Sequence, residues 1–288
     1  MLKHLSSAKS PIGMQGPTVK TYFAKQNSLD AKKIVHVAIT PCTAKKFEIR
    51  REEMCAAGRY LGIDGMRDTD YVVTTHELGL WAKAKGIQFD TIKESDYDRL
   101  MGEGSGAGVI FGNTGGVMEA ALRTAYEFLT HEKAPEVLFD LKPVRGLQNV
   151  KEASLDICGT TINVAVIYGT AAAGRFIESL KTSGKQYHAV EVMACPGGCI
   201  SGGGQPKLNW GQEDKTRQLR IDALYNRDKN LPKQKRTSHE NEQIKALYET
   251  FFGHPLSELA EKLLHTHYTD RSGDLGEKKM KYICKVCG

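Results

Sequence analysis

The feature that most constrains this chain is a glycine-rich segment that carries two cysteines. Cys195 and Cys199 directly follow a predicted strand at 188–193. The glycines that surround Cys199 are Gly197, Gly198, Gly202, Gly203 and Gly204. Glycine lets a backbone approach a bulky ligand without a Cβ clash, and thiolates are the usual ligands of iron–sulfur clusters. The segment therefore predicts a cluster-binding loop, and a glycine-rich turn with two buried thiols is the alternative.

A third cysteine lies just beyond another predicted strand. The β-branched run 33–39 predicts a short buried strand, and Cys42 follows it. Open α/β sheets place their ligands beyond the carboxyl ends of the strands. Lys45 and Glu48 follow at helical spacing, and a cation three residues from a thiolate would lower the pKa of that thiol. The residues alone favour the alternative for Lys45, a solvated lysine on a helix.

The other predicted elements alternate between strands and helices. Strands are predicted at 71–75, 137–141 and 161–168, and helices at 15–25, 76–85, 117–129 and 171–180. This order predicts an α/β fold of two lobes, with mostly parallel sheets flanked by helices, followed by a C-terminal helical region. The helix at 117–129 ends a glycine-rich stretch, 102–116, and its N–H groups could face an anionic cofactor. A flexible surface loop is the alternative for that stretch.

Two amphipathic helices are predicted after Pro206. Thr237 and Glu240 match a capping box ahead of the first helix, and Pro255 can occupy the first position of the second. The apolar stripes are Ile244, Leu247, Tyr248 and Phe251, and then Leu256, Leu259, Ala260, Leu263 and Leu264. We expect both stripes to pack on the α/β part.

Composition narrows the functional classes. No apolar run approaches the roughly 18 residues of a membrane span, and the N-terminus lacks a signal-type apolar core, so the predicted location is cytoplasmic. Seven cysteines, an odd number, favour ligand or redox roles over a disulfide framework. Eight of the basic residues lie in 215–236 beside two Asp, without a nucleic-acid motif. A solvated helix face is the prediction there, and a docking surface for an acidic electron carrier is the alternative.

The tail carries a further pair of thiols. Cys284 and Cys287 form a CxxC knuckle, which supplies two of the four thiolates that a tetrahedral Fe or Zn site needs. No second knuckle follows. Completion by another chain, a redox pair and an incomplete site all stay open.

With these thiols in place, the chain resembles the catalytic domain of [FeFe]-hydrogenases over nearly all of residues 4–270. Segments 40–48, 111–123 and 191–206 are similar to family motifs, and 215–268 resembles the helical region of the small subunit. The resemblance implies three regions: the C-terminal region of the large subunit at 1–210, a helical region like that of the small subunit at 211–270, and a polar tail at 271–288. The tail resembles the start of a rubredoxin module.

The resemblance also implies an activity and a cofactor. The activity is reversible reduction of protons to H2 at an H-cluster, which joins a [4Fe-4S] cubane to a di-iron unit with CO, cyanide and a dithiolate. The implied partners are a ferredoxin-like electron carrier and the maturation proteins for the di-iron unit. By motif match, Cys42 and Cys195 would hold the cubane. Cys199 would hold it too and would bridge to the di-iron unit.

Further positions follow from the same motif match. Lys45, Ser10 and the backbone at Pro11 would meet cyanide ligands, and Ser6 and Glu48 match positions near the proton route of the family. The remaining implied contacts with the cofactor are Met193, Phe111, Gly112, Gly203 and Gln205.

Two features depart from the family pattern. The Cys-Cys-Pro signature, which supplies the fourth cubane ligand and a proton-transferring cysteine, is missing upstream of Leu5. We therefore expect a segment of a longer polypeptide or a split gene, a loop supplied by another chain or segment, and little turnover by this chain alone. Thr40 stands where methionine is common, and Ile12 where a polar residue is common, which is typical of a slow or sensory subtype. A non-catalytic cluster-binding sensor is the second hypothesis, and an apo protein whose tail binds zinc is the third.

Overall fold

A computed structural model describes residues 2–96 and 104–275, and its elements confirm an α/β fold. The strands in this part of the chain are β1 (Val37–Thr40), β2 (Tyr71–Thr74), β3 (Val150–Ile157), β4 (Thr160–Tyr168) and β5 (Ala189–Met193). The α-helices are α1 (Pro11–Thr18), α2 (Ala24–Gln26), α3 (Lys45–Glu48), α4 (Ala56–Leu61), α5 (Thr75–Ala84), α6 (Gly106–Ile110), α7 (Gly116–Thr130), α8 (Thr170–Ser183), α9 (Glu213–Lys229), α10 (Glu242–Leu247) and α11 (Glu258–Leu264).

The chain divides into two compact units that are discontinuous in sequence. The first unit comprises Met1–His36, Glu48–Tyr71 and Gly253–Gly288. The second comprises Val37–Phe47 and Val72–Phe252. The first unit is therefore built from segments that are far apart along the chain.

The longest helix of the first unit begins earlier than its predicted start at residue 15. Ser10 caps it by accepting from the N–H of Gly13, and the chain then runs through α1, a π-helical turn at Val19–Phe23 and α2. Pro17 lies inside α1, where it lacks an N–H for the helical ladder and so favours the wider turn that follows. The predicted helix at 15–25 is thus confirmed, with an added turn at its N-terminus.

The first unit is held together around a buried lysine. The Lys9 ammonium donates to the Asp68 carboxylate at 3.2 Å and to the carbonyl of Leu263 in α11 at 2.9 Å. Asp68 also accepts from the N–H of Ala57 in α4. The α11 stripe is buried as predicted at Ala260, Leu263 and Leu264.

The predicted start of α11 at Pro255 is wrong. Ser257 caps the helix by accepting from the N–H of Ala260. Leu256 precedes this cap with a positive φ of 63° and is 69% exposed. A serine hydroxyl in an extended conformation can satisfy a helix N–H, whereas proline can only avoid the need for one.

The second unit is organised around strand β4. The sheet order is β3-β4-β5, with β3 antiparallel and β5 parallel to β4. Val164 and Val166 face a cluster that includes Met118 and Leu122 of α7, while Ala165 and Ile167 face Phe176 and its neighbours in α8. Strand β4 is therefore buried on both faces, which explains its nearly continuous apolar sequence.

Two predictions of strands were wrong in and beside this sheet. The predicted strand 137–141 is wrong: a 3-10 turn, Glu136–Phe139, begins just after Pro135, and a second one, Lys142–Val144, contains Pro143 and follows the predicted strand. Strand β3 was not predicted at all. Its residues 152–157 do alternate between polar and apolar side chains, a strand pattern that the sequence analysis overlooked, and Lys151 is the polar residue on the face that packs inward.

The two-stranded sheet of β1 and β2 is less buried than predicted. Val37 and Ile39 are 47% and 59% exposed, and β1 begins at Val37, four residues after its predicted start, where the 3-10 turn Ala31–Lys33 ends. Strand β2 and helix α5 agree with their predictions. Thr74 and Glu77 form a complete capping box at the start of α5.

The first C-terminal amphipathic helix differs from its prediction in both start and register. Asn241, not Thr237, caps α10, because its side chain accepts from the N–H groups of the following turn. A π-helical segment, Tyr248–Phe252, follows α10 and adds a residue to the turn. Phe252 is consequently the buried aromatic residue, at 3% exposure, and Phe251 is only partly buried.

Helices α7 and α9 are joined by a buried ion cluster within the second unit. The Arg123 guanidinium is fully buried and donates to Glu119 of α7 and to both oxygens of Asp228 in α9. It also donates to the carbonyls of Leu138 and Arg236 at 3.2 and 2.9 Å. This one side chain therefore connects four segments of the chain.

Candidate functional site

Three cysteines are brought to the carboxyl ends of two strands in the second unit. Cys42 follows β1, and the segment with Cys195 and Cys199 follows β5. The N–H of Gly204 donates to the carbonyl of Pro41 at 2.8 Å, which ties the end of one cysteine segment to the residue before Cys42. The predicted position of ligands beyond the strands is supported for these thiols.

Thr40, the departure from the family pattern, has a local structural role. It is buried, and its hydroxyl oxygen accepts from the N–H of Cys42 at 3.3 Å. This bond orients the peptide that carries the thiol. A methionine at this position could not accept in the same way.

Two glycines in the cysteine segment are required by close backbone contacts. A Cβ on Gly202 would lie 2.2 Å from the carbonyl oxygen of Pro41. Gly198 has a φ of 101°, and its Cβ would lie 2.6 Å from the amide nitrogen of Thr114. The sequence analysis predicted that the glycines allow close approach of a bulky ligand, but at these two positions the close neighbour is the backbone of the chain itself.

The three thiols influence one another's ionisation. Burial raises the pKa of Cys195, and the neighbouring Cys42 raises it further, while the N–H of Gly203 acts in the opposite direction. The side chain of Cys199 is exposed. Neighbouring protein atoms nevertheless shield its thiol from part of the solvent and so raise its pKa. Cys42 and Cys195 raise this pKa further, whereas Lys45 lowers it. Three thiolates would repel one another unless a positive group lay among them.

The spacing of the thiols favours a cluster over a single ion. The sulfur atoms of Cys42, Cys195 and Cys199 do not all lie within 4.8 Å of one another, so among residues 2–96 and 104–275 they are not a group that could hold one metal ion. The thiols are close enough to interact electrostatically but too far apart to share one ion. A multi-iron cluster is larger, carries positive metal charge and binds thiolates, so this donor set fits it.

The N-terminus of α7 is occupied by a carboxylate of the chain. Glu191 of β5 accepts from the N–H of Gly115 at 2.6 Å and from the N–H of Met118 at 2.8 Å. Burial raises the pKa of Glu191, and these backbone N–H groups and the nearby Lys151 oppose the rise. The prediction that these helix N–H groups face an anionic cofactor is therefore wrong for Gly115 and Met118, because a side chain of the chain binds them.

This cap connects to the cysteine segment through the turn before α7. The N–H of Thr114 donates to the carbonyl of Gly197 at 3.0 Å, and the N–H of Ile200 donates to the carbonyl of Gly112 at 3.1 Å. Glu191 thus fixes one side of the turn while the cysteine segment binds the other. The sequence analysis gave Glu191 no role, although an acidic residue within an otherwise apolar strand is a signal for a buried carboxylate with partners.

Lys151 is the second residue that sequence reasoning missed. Its ammonium donates to the Thr114 hydroxyl at 3.1 Å and to the carbonyl of Gly146 at 3.0 Å. Burial lowers its pKa to about 8, and Glu191 opposes this shift. Lys151 therefore supports the turn before α7 from the side of β3.

The other predicted site residues are divided between the two units. In the second unit, Lys45 lies close enough to Cys199 to lower the pKa of that thiol, and the carbonyl of Met193 accepts from Gly169. The remaining predicted contacts in this unit are Phe111, Gly112, Gly203 and Gln205. The first unit contains Ser6, Ser10, Pro11 and Glu48, among which the Ser10 hydroxyl donates to the Glu48 carboxylate. Cys284 and Cys287 lie outside the described residues.

Replacing Glu191 with glutamine is expected to destabilise the protein by about 2 kcal/mol. The amide would present an NH2 group to one of the two backbone donors, leaving a buried N–H without an acceptor. Urea denaturation followed by circular dichroism measures the change. Glu178→Gln, on the exposed face of α8, is the control and should change stability by less than about 0.5 kcal/mol. Equal effects of the two substitutions would contradict the capping role.

Comparison with known proteins identifies the family. The model of the iron only hydrogenase large subunit, C-terminal domain, matches residues 1–203, and that of the iron hydrogenase small subunit matches residues 214–271. The chain belongs to the iron-only hydrogenase family. The family resemblance predicted from the cysteine motifs is confirmed by these matches.

The relatives of this chain include hydrogenases and Fe-S cluster assembly factors. Iron hydrogenase 1 of Clostridium pasteurianum is 44% identical over 270 residues, which are 93% of this chain and 45% of that protein. A cytosolic Fe-S cluster assembly factor of Xenopus tropicalis is 31% identical over 272 residues, which are 93% of this chain and 54% of that protein. This chain thus spans about half the length of either relative.

A solved structure of the iron-only hydrogenase family has a similar fold. An apo [FeFe]-hydrogenase variant from Chlamydomonas reinhardtii aligns with a TM-score of 0.75 at 37% sequence identity. The alignment covers 93% of this chain and 71% of that chain. Among the described residues of the present chain, every helix is too short or too polar to cross a membrane.

Proposed function

We propose that the chain is a catalytic-domain polypeptide of an [FeFe]-hydrogenase, acting in the reversible reduction of protons to H2 with electrons from a ferredoxin-like carrier. The observation that carries the proposal is the set of three interacting thiols, Cys42, Cys195 and Cys199, beyond strands β1 and β5. Family membership supports the same reading. When bound, the H-cluster would supply the redox chemistry.

The residues of the chain would hold and orient that group. Cys42, Cys195 and Cys199 would act as thiolate ligands once the metal charge lowers their raised pKa values. The N–H of Gly203, which interacts with the Cys195 sulfur, and the ammonium of Lys45 would compensate negative charge. Ser6 and Glu48 are proposed for the proton route, and the Ser10 hydroxyl, which is proposed to meet a cyanide ligand, donates to the Glu48 carboxylate.

Cluster loading tests the ligand set. We expect the full chain, reconstituted anaerobically with iron and sulfide, to bind iron and to develop the visible absorption of an iron–sulfur cluster. Cys195→Ser and Cys42→Ser should each lose most of that iron, because serine is a poor ligand for the cluster. Cys158→Ser is the control, since Cys158 is exposed in the β3–β4 turn. Equal iron contents in all four proteins would contradict the proposal.

A non-catalytic cluster-binding protein is the second candidate. The similarity to the Xenopus assembly factor favours it, because that relative matches as much of this chain as the hydrogenases do. The infrared spectrum after maturation separates the two candidates. Bands of CO and cyanide together with H2 evolution from a reduced viologen support the enzyme. The bands without H2 evolution support a non-catalytic sensor, and a cluster without the bands supports a non-catalytic cluster-binding relative.

The partners and the location are part of the same proposal. Maturation proteins would deliver the di-iron unit, and the cytoplasm would be the site of action. The tail thiols Cys284 and Cys287 are proposed as a separate Fe or Zn site.

A further inference from the structure

A group of potential metal ligands lies outside the cysteine site of the second unit. Glu127 belongs to the last turn of α7, and His239 and Glu240 belong to the 3-10 turn Ser238–Glu240. One ligand atom from each of these residues lies within 4.8 Å of the other two. The Glu127 Oε2 and His239 Nε2 atoms are 2.9 Å apart. Three N and O donors at this spacing need only small rotations to meet one zinc-sized ion, which binds at about 2.1 Å.

The side chains of this group are oriented by residues around them. The His239 Nδ1 atom lies 3.1 Å from the hydroxyl of Thr124, one turn earlier on α7. Because a carboxylate can only accept, the Nε2–H of His239 donates to Glu127 in the metal-free structure and Nδ1 accepts from the Thr124 hydroxyl. A metal ion would take the place of the Nε2 proton, and a proton on Nδ1 would then be donated to the Thr124 hydroxyl. The N–H of Ala134 donates to Glu127 Oε1 at 3.0 Å, which leaves Oε2 as the inner oxygen. Outer partners of this kind are the ones that fix metal ligands in proteins.

A positive charge already lies between the two carboxylates. The Lys133 ammonium contacts Glu127 Oε2 at 3.4 Å and also pairs with Glu240. The Lys133 side chain is 67% exposed, so it can move into solvent without disturbing the core. Lys133 therefore marks a position between the two carboxylates that accommodates a positive charge.

We propose that Glu127, His239 and Glu240 form a second metal site, which binds a borderline divalent ion of the Zn2+ type and releases Lys133 to solvent. The imidazole nitrogen favours Zn2+ over Mg2+ and Ca2+, which prefer oxygen ligands alone. Water can complete the coordination, as in other three-ligand zinc sites.

Such an ion would connect two segments that belong to different family models. Glu127 lies in the part that matches the large subunit, and His239 and Glu240 lie in the part that matches the small subunit. A bound ion would therefore cross-link these two parts within the second unit. Anything that binds only the folded form stabilises it, so added Zn2+ should raise the unfolding temperature.

The test is the Zn2+ stoichiometry of the full chain measured by calorimetric titration, with the thiols preloaded with iron and sulfide. We expect His239→Gln to bind one Zn2+ fewer than the wild type. Lys133→Met should bind Zn2+ about 5-fold more tightly at this site, because a competing surface ion pair is removed. Thr124→Val should bind about 10-fold more weakly, because it loses the partner that orients the imidazole.

His131→Asn is the matched control, since this exposed histidine ends the same helix and asparagine tolerates its positive φ. It should retain the wild-type stoichiometry. Anomalous X-ray scattering from crystals of the wild-type chain grown with Zn2+ gives a second measurement that does not depend on any variant. Equal stoichiometry in His239→Gln and the wild type, or no zinc peak among the three ligands, would overturn the proposal.

Discussion

Arg123→Met is expected to lower the free energy of unfolding by about 3–5 kcal/mol. The substitution removes the guanidinium that pairs with Glu119 and Asp228, both of which are fully buried. Removing one partner of a buried ion pair leaves an uncompensated charge, which costs about that amount. Arg145 and Arg236 each still contact one of the carboxylates, so the protein should fold and the loss should be measurable by urea denaturation.

Two further substitutions make the measurement specific. Arg123→Lys keeps the charge but cannot make the five hydrogen bonds of the guanidinium, so its effect should lie between those of methionine and wild type. Arg175→Met, on the exposed face of α8, should change stability by less than about 0.5 kcal/mol. If Arg123→Met were no more destabilising than Arg175→Met, the ion cluster would not contribute as described.

Gly198→Ala is expected to abolish cluster loading while leaving the sheet of β3, β4 and β5 folded. The substitution places a Cβ on a residue with a φ of 101° and within 2.6 Å of the Thr114 nitrogen. Strained backbone of this kind costs about 1–3 kcal/mol before the clash is counted. The segment would have to move away from the turn at 112–114, taking Cys199 with it. Iron content and the visible spectrum after reconstitution measure the loss.

Gly174→Ala is the matched control for that experiment. Gly174 lies on the exposed face of α8, where a Cβ meets nothing within 4 Å. Alanine there should raise stability by about 0.5–1 kcal/mol and leave cluster loading unchanged. Normal iron binding by Gly198→Ala would show that the close approach to Thr114 is not needed to position Cys199.

The cysteine segments were the part of the site that the sequence could predict. Thiols next to strand ends and glycines indicate metal chemistry by residue type alone, and Cys42, Cys195 and Cys199 do lie in one unit. The use of Glu191 as the cap of α7 depends on a contact between residues 76 positions apart. No local sequence pattern encodes such a pairing, so the sequence analysis predicted that the N–H groups of α7 face a cofactor.

Most elements with a regular apolar pattern were predicted correctly from the sequence. The prediction was less accurate where tertiary contacts determine which residues are buried. Strand β4 and helix α7 have regular patterns and were predicted within a residue or so. Strand β3 was missed although its residues 152–157 alternate between polar and apolar side chains, and the burial of Lys151 at its start depends on tertiary bonds to Thr114 and Gly146. The π-helical segment Tyr248–Phe252 changed which aromatic residue is buried, because one added residue per turn shifts the register of a stripe.

The position of Arg123 has a consequence for how this sequence can be divided between genes. Its carboxylate partner Asp228 lies beyond residues 203–214, where one family match ends and the next begins. If the polypeptide were cut there, Arg123 would be separated from Asp228 and from the carbonyl of Arg236, and these buried groups could bond only after the two products met. The two pieces would have to be produced together and meet before folding is complete, so balanced synthesis of both would become a condition for either to survive proteolysis.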